Sequence, residues 1–594
     1  MTTSEYENSA NLDKLNANLA RIEVLTQRLV AAFAKKKPHR PDLQGPDPSL
    51  YLRAASAYWT EMVQNPSKII EHQVGYWGKT LKHFAEAQEA LRGGKLTPPV
   101  DNTPDDRRFS NPLWKTHPYF NYIKQQYLMS SQAIEEAIAA LDTLDAREKR
   151  RLEYFGKQII DMMAPTNFLG TNPDALMKAV ETEGESLVKG LENLVSDIEA
   201  NDGEMLVTLS DRGAFKVGGN IATARGAVVY RNRMFELLQY SPTTEQVHEV
   251  PLLIFPPWIN KFYVLDLKPQ NSLIQWIVDQ GYTLFVVSWV NPDASYADVG
   301  MDDYVREGFL EAIARVREIC GVKAINAIGY CIAGTTLSLT LALMEKRKDR
   351  SVKSATFFTT LTDFSDRGEV GVFLEDDFVG GIEAEVSQRG YLPAHYMTKT
   401  FSYLRANDLI YAPAIRSYML GEAPPAFDLL YWNGDGTNLP GAMAVQYLRG
   451  LCQQDRFASA NYTVCDEEVS ISGVKVPVCA IACETDHIAA WRSSLRGVSK
   501  MGSANKTFIL SQSGHIAGIV NPPSKKKYGH YTSDAPLDDP DRWRAEAEFH
   551  DGSWWPRWEE WLRARSGKRI KAREIGDSAL EPAPGSYVVA QPDA

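Results

Sequence analysis

From about residue 250 onward, short and continuously apolar segments alternate with stretches that have helical periodicity. The apolar segments are VPLLIFPPWI, YTLFVVSWV, KAINAIGYC, SATFFTTLT, VPVCAIACETD and TFILSQSGH. Continuously apolar strands separated by helices predict a parallel sheet that is covered on both faces. One of these helices is predicted over residues 302–320, with an aspartate cap at its start. We therefore predict an α/β domain over residues 206–594.

The first part of the chain has a helical pattern. Leucine and isoleucine recur there at intervals of three and four residues, at Leu12, Leu15, Leu19, Ile22, Leu25 and Leu29. This spacing places them on one face of a helix, which either packs on its own domain or binds a partner or a surface. Further helices are predicted around 50–92, 118–143, 146–163 and 173–200. The prediction is a helical domain over residues 1–205.

A long stretch inside the α/β domain lacks the regular alternation of strands and helices. It separates SATFFTTLTDF from VKVPVCAIA and contains many aromatic residues. A long insertion at the carboxyl edge of a parallel sheet is typical of a cap or lid. We place this cap at about residues 363–450.

Charge, hydropathy and cysteine content limit the classes of protein to which this chain can belong. The 75 acidic and 64 basic residues give a formal net charge of −11 at pH 7, which argues against a broad nucleic-acid interface. The short runs Lys35–Lys37 and Lys525–Lys527 fit solvated surface better than a phosphate site. No apolar run reaches the ~18–20 residues that span a bilayer. With no secretory signal pattern and six cysteines without C-x-x-C spacing, we expect a cytoplasmic protein.

The segment INAIGYCIAGTTLSL, residues 325–339, predicts a strand, a sharp turn and a helix, with Cys331 at the turn. Such a turn in the G-x-S-x-G pattern needs small residues two positions before and after the nucleophile. Gly329 and Ala333 occupy these positions, and Gly334 follows. A lone cysteine at a strand end is commonly a small buried hydrophobic residue, which is our interpretation of the other five. Cys331 is the candidate nucleophile.

Two later strands supply candidate partners for Cys331. In hydrolases with this turn, the chain order is nucleophile, acid and histidine. Asp486 ends VPVCAIACETD and His515 ends TFILSQSGH, so all three residues come at the carboxyl ends of predicted strands. His487 is a competing base, but a side chain adjacent to the acid normally points elsewhere. We therefore predict a catalytic set of Cys331, Asp486 and His515.

The oxyanion of such a site is usually stabilised by two backbone amides. One belongs to the residue after the nucleophile, Ile332, and the other to a loop after an early strand. That loop offers Trp258 or Ile259, because the neighbouring prolines cannot donate. The sequence contains no H-E-x-x-H, G-x-x-x-x-G-K-[ST] or G-x-G-x-x-G pattern, so neither a metal nor a cofactor is predicted.

A thiol at this turn favours acyl transfer over ester hydrolysis. Exchanging one thioester for another is nearly isoenergetic, so a cysteine can accept an acyl group from coenzyme A and keep it reactive. A serine ester would lie lower in energy and would pass the acyl group on less readily. Forming the thiolate requires a nearby base, for which His515 is the candidate.

Several blocks of the chain resemble the polyhydroxyalkanoate synthases of the α/β-hydrolase superfamily. These blocks are GYCIAGTT, DHIAAW, SGHIAGIVNPP, PPWINKFYVLDLKPQNSL, FDLLYWNGDGTNLPG and GSWWPRWEEWL. The resemblance is best to the class I, single-subunit poly(3-hydroxybutyrate) polymerases. It extends from roughly residue 105, at DDRRFSNPLW, to EPAPGSYV near the end of the chain. The first hundred residues match poorly.

The resemblance implies an α/β-hydrolase catalytic domain that polymerises (R)-3-hydroxyacyl-CoA, mainly 3-hydroxybutyryl-CoA, into a polyester and releases CoA. Cys331 would carry the chain as a thioester and His515 would deprotonate it. Asp486 would assist the attack of the 3-hydroxyl, either directly or by orienting His515. CoA would be part of the substrate, with no separate cofactor.

The resemblance also implies partners and a location. Trp432 matches a tryptophan near a dimer contact, so a homodimer is expected. The helical N-terminal domain would serve attachment to polyester granules in the cytoplasm and contact granule-surface proteins of the phasin type. The cap would gate the cysteine and exclude water.

Two departures from the family pattern and two alternative functions accompany this interpretation. Ala333 stands where glycine is usual, and DHIAAW replaces the more familiar DHIVPW.

One alternative is an intracellular polyester depolymerase or thioesterase, with water as the acyl acceptor. The other is a granule-binding protein of the same fold without catalytic activity.

Overall fold

The computed structural model describes residues 3–34, 48–64, 74–76, 78–82, 85, 106–201 and 203–590. The chain forms two compact units. One combines Met1–Asp211 with Arg405–Pro425, and the other combines Arg212–Leu404 with Ala426–Ala594. The predicted division at residues 205 and 206 and the predicted role of residues 363–450 as a cap stay predictions.

The first unit is built from helices. They are Thr3–Ala34, Pro48–Gln64, Leu113–Thr116, Pro118–Ala139, Ala146–Met162, Pro173–Glu181 and Glu185–Ala200, followed in the returning segment by Asn407–Tyr411, Ala412–Ala414 and Ile415–Met419. The helices predicted over 118–143 and 146–163 are confirmed. The helical prediction around 173–200 is also confirmed, as two helices that are separated where Glu183 and Gly184 adopt positive φ angles of 52° and 85°. Residues 65–73 and 86–92 of the helix predicted over 50–92 lie outside the described residues.

The N-terminal helix Thr3–Ala34 packs against Glu185–Ala200 through part of its apolar face. Leu25 is buried against Val188 and Val195, whereas Leu19 and Ile22 remain 54% and 37% exposed. The side chains of Leu12 and Leu15 lie outside the described part of the chain.

Ion pairs flank this helix contact. Arg21 bonds to Glu185 and Glu192, and Arg28 bonds to Glu199 at 2.6 Å. Partly exposed pairs of this kind contribute about 0–1 kcal/mol each. Apolar burial at Leu25 therefore contributes most of the stability of the contact.

The second unit is organised around a large sheet. Its strands and the smaller ones nearby are β1 Gly226–Arg231, β2 Phe235–Tyr240, β3 Gln246–His248, β4 Leu252–Phe255, β5 Asp266–Lys268, β6 Asn271–Ser272, β7 Leu284–Trp289, β8 Ile325–Tyr330, β9 Val352–Phe358, β10 Tyr391–Leu392, β11 Leu439–Pro440, β12 Tyr462–Val464, β13 Glu467–Val469, β14 Val478–Cys483, β15 Lys506–Ser511, β16 His530–Thr532, β17 Glu548–His550, β18 Arg569–Lys571 and β19 Glu581–Pro582.

Eleven of these strands form one sheet, in the order β17-β16-β15-β14-β9-β8-β4-β7-β2-β1-β19. The central run from β15 to β7 is parallel, and the strands on either side are antiparallel. The six apolar segments correspond to β4, β7, β8, β9, β14 and β15, which confirms the predicted parallel sheet. Sequence reasoning did not predict β1 and β2, which precede the apolar segments.

Helices cover both faces of this sheet, as the burial of its central strands requires. The helices of this unit are Leu273–Asp279, Met301–Asp303, Tyr304–Leu310, Glu311–Cys320, Ile332–Lys346, Asp376–Arg389, Ala394–Leu404, Asp428–Asn433, Gly441–Gln446, Tyr447–Gln453, Arg456–Ser459, Trp491–Lys500, Pro540–Ala545 and Trp555–Arg563. Two large apolar clusters result, and many central-strand residues are fully buried. Across the described residues, no helix combines the length and apolar character that crossing a bilayer requires.

The helix predicted over 302–320 is present as three consecutive segments that begin at Met301. Asp303 accepts a hydrogen bond from the backbone N–H of Gly300 at 2.9 Å. Asp302, the residue predicted to cap the helix, instead accepts from the backbone N–H of Cys465. The carboxylate at the third helical position therefore satisfies the backbone N–H that precedes the helix.

Candidate active site

Cys331 lies at the sharp turn between β8 and the helix Ile332–Lys346. Its backbone has φ 53° and ψ −123°, a conformation that a non-glycine residue rarely adopts. Such a residue costs about 1–3 kcal/mol of backbone strain and occurs preferentially at functional sites. The Cys331 N–H donates to the carbonyl of Phe358 at 2.8 Å, which fixes the turn against β9. The thiol is half-buried at the carboxyl edge of the sheet.

Two glycines allow the strand and the helix to approach each other at this turn. A Cβ on Gly329 would lie 2.5 Å from the Cα of Gly334, and a Cβ on Gly334 would lie 2.0 Å from Thr360 Oγ1. Ala333 is fully buried in the adjoining core. The closest backbone contact is therefore made by Gly334, while the methyl group of Ala333 is accommodated.

Asp486 and His515 meet on loops that follow neighbouring parallel strands. Asp486 comes three residues after β14 and His515 four residues after β15, so both strands end earlier than the sequence predicted. The His515 Nδ1 and Asp486 Oδ2 atoms are 2.7 Å apart. The other carboxylate oxygen accepts from the backbone N–H groups of Ile488 and Ala489 at 2.8 Å each. The carboxylate is thereby fixed in a position to orient the imidazole.

The His515 ring lies between Asp486 and Cys331. Burial by itself lowers the pKa of His515, but the negative charges of Asp486 and Cys331 and the hydrogen bonds to both side chains raise this pKa to about 10. The Tyr330 ring packs beside the imidazole with centroids 6.1 Å apart. The structure thus brings together the three predicted side chains; their catalytic roles stay predictions.

Tryptophans fix the loop that carries His515. Trp554 Nε1 donates to the carbonyl of Gly518 at 2.8 Å, and Trp555 Nε1 donates to the carbonyl of Ile519 at 2.9 Å. Both indoles are fully buried. The sequence signal is the cluster SWWPRW, to which sequence reasoning assigned no role in the site.

The predicted oxyanion donors occupy neighbouring positions. Ile332 opens the helix after Cys331, where a backbone N–H has no partner within the helix. Trp258 is buried, and its indole donates to Thr336 Oγ1 at 3.2 Å, so its ring packs near the start of the same helix. Ile259 is also buried, and its carbonyl accepts from Thr437. Which amide faces an oxyanion stays a prediction.

Tyr447 is a residue near the site that sequence reasoning missed. Its hydroxyl interacts with the side chains of Thr335 and Cys452, and burial followed by the nearby charges of Cys452 and Cys331 raises its pKa. Its ring packs edge-to-face on Trp258 with centroids 5.5 Å apart. No local pattern distinguishes this tyrosine from the other 25 of the 26 in the chain.

The other residues singled out in the sequence have the following positions. Trp432 is buried within the chain, and its indole donates to the carbonyl of Lys261 at 2.7 Å; its role in a dimer stays a prediction. His487 is half-buried beside Asp486. Cys452, Cys465, Cys479 and Cys483 are buried, and Cys320 is half-buried.

Burial raises the pKa of two other thiols, that of Cys320 to about 11 and that of Cys452 to about 12. Among the described residues, no group of three or more His, Cys, Asp or Glu side chains is placed to hold a metal ion.

Two family models match the chain. Residues 105–277 match the N-terminal region of poly-beta-hydroxybutyrate polymerase (PhaC). Residues 250–522 match the alpha/beta hydrolase fold, in agreement with the sheet described above.

Curated relatives match most of the chain. The poly(3-hydroxyalkanoate) polymerase subunit PhaC of Rhizobium meliloti is 39% identical over 90% of this chain and 88% of its own length. The poly(3-hydroxyalkanoate) polymerase of Methylorubrum extorquens is 39% identical over 94% of both chains. The PhaC subunit of Cupriavidus necator is 40% identical over 86% of this chain and 87% of its own length. The chain therefore belongs to the poly(3-hydroxyalkanoate) polymerase family and has an α/β-hydrolase fold.

Proposed function

We propose that the protein polymerises (R)-3-hydroxyacyl-CoA, mainly 3-hydroxybutyryl-CoA, into a polyester that it carries as a thioester on Cys331. The observation that carries this proposal is the contact of His515 with both Asp486 and Cys331, at a strained turn of a polymerase-family chain. The relatives described above are named as poly(3-hydroxyalkanoate) polymerases, which supports 3-hydroxyacyl thioesters as the substrate class.

Loading of the first unit exchanges one thioester for another. The imidazole of His515 takes the thiol proton of Cys331, and the resulting thiolate attacks the carbonyl carbon of the acyl-CoA. A new sulfur–carbon bond to Cys331 forms as the bond to the CoA sulfur breaks. His515 returns the proton to the departing thiolate, so free CoA leaves.

Elongation uses the hydroxyl group of the next monomer as the acceptor. Its oxygen attacks the carbonyl carbon of the Cys331 thioester, forming an ester bond while the bond to Cys331 breaks. The hydroxyl proton passes through His515 to the freed cysteine thiolate. The lengthened chain, now on CoA, returns to Cys331 by the loading reaction and releases CoA.

The contacts of Asp486 support a role that acts through His515. One carboxylate oxygen bonds to the ring nitrogen Nδ1, and the other is occupied by two backbone N–H groups. An ionised carboxylate in this position fixes the tautomer and stabilises the imidazolium that each transfer creates. Attack on the hydroxyl would then be assisted by His515, with Asp486 as its positioning partner.

The cellular setting belongs to the same proposal. We place the enzyme as a homodimer at the surface of polyester granules in the cytoplasm, with phasin-like proteins as neighbours. An apolar product that stays bound to the enzyme supports a position at the granule surface, because the growing chain keeps Cys331 close to the polymer.

The test supplies 3-hydroxybutyryl-CoA and follows thiol release, turbidity and the mass of the Cys331 peptide. We expect CoA release, insoluble polyester and an acyl adduct on Cys331. Cys331→Ala should abolish all three, whereas Cys320→Ala, the matched change at the other half-buried thiol, should retain them.

Other outcomes separate the alternatives. Thiol release with soluble hydroxy acid alone would assign a hydrolase that uses water. Absence of thiol release from the wild type would favour a granule-binding protein without catalysis. Polymer formation by Cys331→Ala would exclude Cys331 as the nucleophile.

A further inference from the structure

Two segments at the carboxyl edge of the sheet carry lysines. One is the short strand β5, which follows β4 and ends at Lys268, and the other is the loop after β15, which contains Lys525–Lys527. Cys331, Asp486 and His515 lie on turns and loops at this same edge. The lysines are exposed, so they are accessible to a ligand from solution.

The lysines of the two segments are close enough to influence each other. Partial burial and the neighbouring charge of Lys268 lower the pKa of Lys525. The charge of Lys527 also lowers this pKa, whereas the charge of Asp428 raises it. Lys268 Nζ bonds to Asp428 Oδ2 at 2.8 Å. Lys268 and Lys525 therefore share the carboxylate of Asp428, with Lys527 close to Lys525, and the mutual repulsion of these lysines would be relieved by an anion.

The lysine-bearing loop is fixed to the segment that leads to His515. Asn521 Nδ2 donates to the carbonyl of Tyr528 at 3.0 Å, which closes the loop at its base. Gln512 Oε1 accepts from the N–H of Gly529 at 2.9 Å. The Tyr528 side chain interacts with Ser513, two residues before His515. These contacts fix the position of Lys525–Lys527 relative to the imidazole.

Local charge here opposes the charge of the whole chain. The protein carries a formal net charge of −11, so its average surface repels an anionic substrate. A CoA thioester has a reactive carbonyl at one end and, beyond a flexible arm, a pyrophosphate and a 3′-phosphate. A cationic group beside the site would attract that end and orient the thioester toward Cys331.

We propose that Lys268 and Lys525–Lys527 form the subsite for the pyrophosphate and 3′-phosphate groups of the CoA moiety. This inference rests on the proposed function for its substrate class. It replaces our sequence-based interpretation of Lys525–Lys527 as solvated surface, because the sequence did not show that Lys268 joins them.

Binding of adenosine 3′,5′-bisphosphate tests the subsite without requiring catalysis. The variant replaces Lys525, Lys526 and Lys527 by glutamine. Its matched control makes the same change at Lys323, Lys348 and Lys353, three exposed lysines at the amino edge of the same sheet. In calorimetric titrations at low salt, we expect the variant to weaken binding at least 10-fold and the control to bind like wild type.

A kinetic measurement addresses the intact substrate. The quantity compared is kcat/KM for 3-hydroxybutyryl-CoA divided by kcat/KM for 3-hydroxybutyryl-pantetheine, which lacks these phosphates. We expect this quotient to be at least 10-fold lower for the Lys525–Lys527 variant than for the wild type. Most of the loss should appear in KM, and the loss should shrink as salt screens the charges.

Each remaining outcome has one meaning. Equal losses with both thioesters, or equal bisphosphate binding by variant and wild type, would overturn the subsite. A third outcome is that the variant loses bisphosphate binding while the wild type releases no thiol from either thioester. That outcome would retain the subsite and reject the proposed function.

Discussion

At the scale of single residues, the site depends on a small number of close contacts around Cys331. Cys331 has a positive φ angle at the turn, and the hydrogen bond from its N–H to the carbonyl of Phe358 maintains that turn. His515 reaches the same point from a loop more than 180 positions later in the chain. In the proposed reaction, the thiol would depend on the geometry of this strained backbone and on the imidazole of His515.

Gly334→Ala tests the packing of the turn. The added methyl would lie 2.0 Å from Thr360 Oγ1, so we expect a loss of stability of about 1–3 kcal/mol together with reduced activity. Thermal unfolding and CoA release measure the two effects. Gly380→Ala is the control, because its methyl would meet nothing within 4 Å on a helix, and it should leave stability equal or slightly higher. Full stability in Gly334→Ala would contradict this account of the turn.

The pH dependence of stability tests the environment of His515. Its pKa is raised to about 10 in the folded protein from about 6.5 in an unfolded chain. A raised pKa contributes stability that is complete below about pH 6.5 and is lost as the pH rises toward 10. The difference in Tm between wild type and His515→Gln should therefore be largest near pH 6 and decrease toward pH 10.

Scanning calorimetry between pH 6 and 10 measures this difference. The exposed His117 supplies the control, because His117→Gln should follow the wild-type curve throughout. A difference for His515→Gln that grows with pH would show that the imidazole is not stabilised as a cation.

At the scale of elements, the helix Trp555–Arg563 and the residue before it position the loop that carries His515. Trp554 and Trp555 bond to carbonyls three and four residues after the histidine. Trp558, one turn further along, instead donates to Thr356 Oγ1 in β9 at 3.0 Å. One short segment thus contacts both the loop that carries His515 and strand β9 inside the sheet.

Trp554→Phe and Trp558→Phe form a matched pair. Each removes one indole N–H from a buried partner, so each should cost about 1–3 kcal/mol of stability. Trp554→Phe should in addition lower kcat about 10-fold or more, because a small displacement of a catalytic group reduces rate strongly. Steady-state kinetics and thermal unfolding compare them. Equal kcat values for the two variants would refute a positioning role for Trp554.

At the scale of the whole molecule, the chain leaves the α/β unit once and returns. Residues Arg405–Pro425 belong to the helical unit, although they lie within the predicted cap. In that unit Tyr418 donates to Asp197 Oδ2 at 2.7 Å, and Asn193 donates to the carbonyl of Ser417. The helical unit is therefore completed by a segment that is distant in sequence.

A fragment of residues 1–211 tests this completion. Without Arg405–Pro425 it loses the contacts to Tyr418 and Ser417, and we expect a lower Tm than in the presence of a 405–425 peptide. Circular dichroism during heating measures the difference. A peptide with Tyr418→Phe, which lacks the bond to Asp197, should stabilise the fragment less. Equal Tm values with and without the wild-type peptide would contradict the assignment of this segment.

The sequence by itself determined the parallel sheet and the candidate set Cys331, Asp486 and His515. Continuous apolar runs report burial on both faces of a strand, and the small residues around Cys331 report a sharp turn. Both signals are local, so they can be read without coordinates. The ends of the strands and the break between helices at Gly184 were harder to predict from the sequence, because single backbone angles decide them.

Tertiary structure alone decided which residues distant in sequence lie close together. Tyr447 beside Cys331, Trp554 on the His515 loop and Lys268 beside Lys525 come from segments far apart in the chain. Their sequence contexts carry no sign of these contacts, because packing and long-range charge depend on separation in space. Short-range patterning therefore specified the fold and the candidate site residues, while three-dimensional packing set their electrostatic environment.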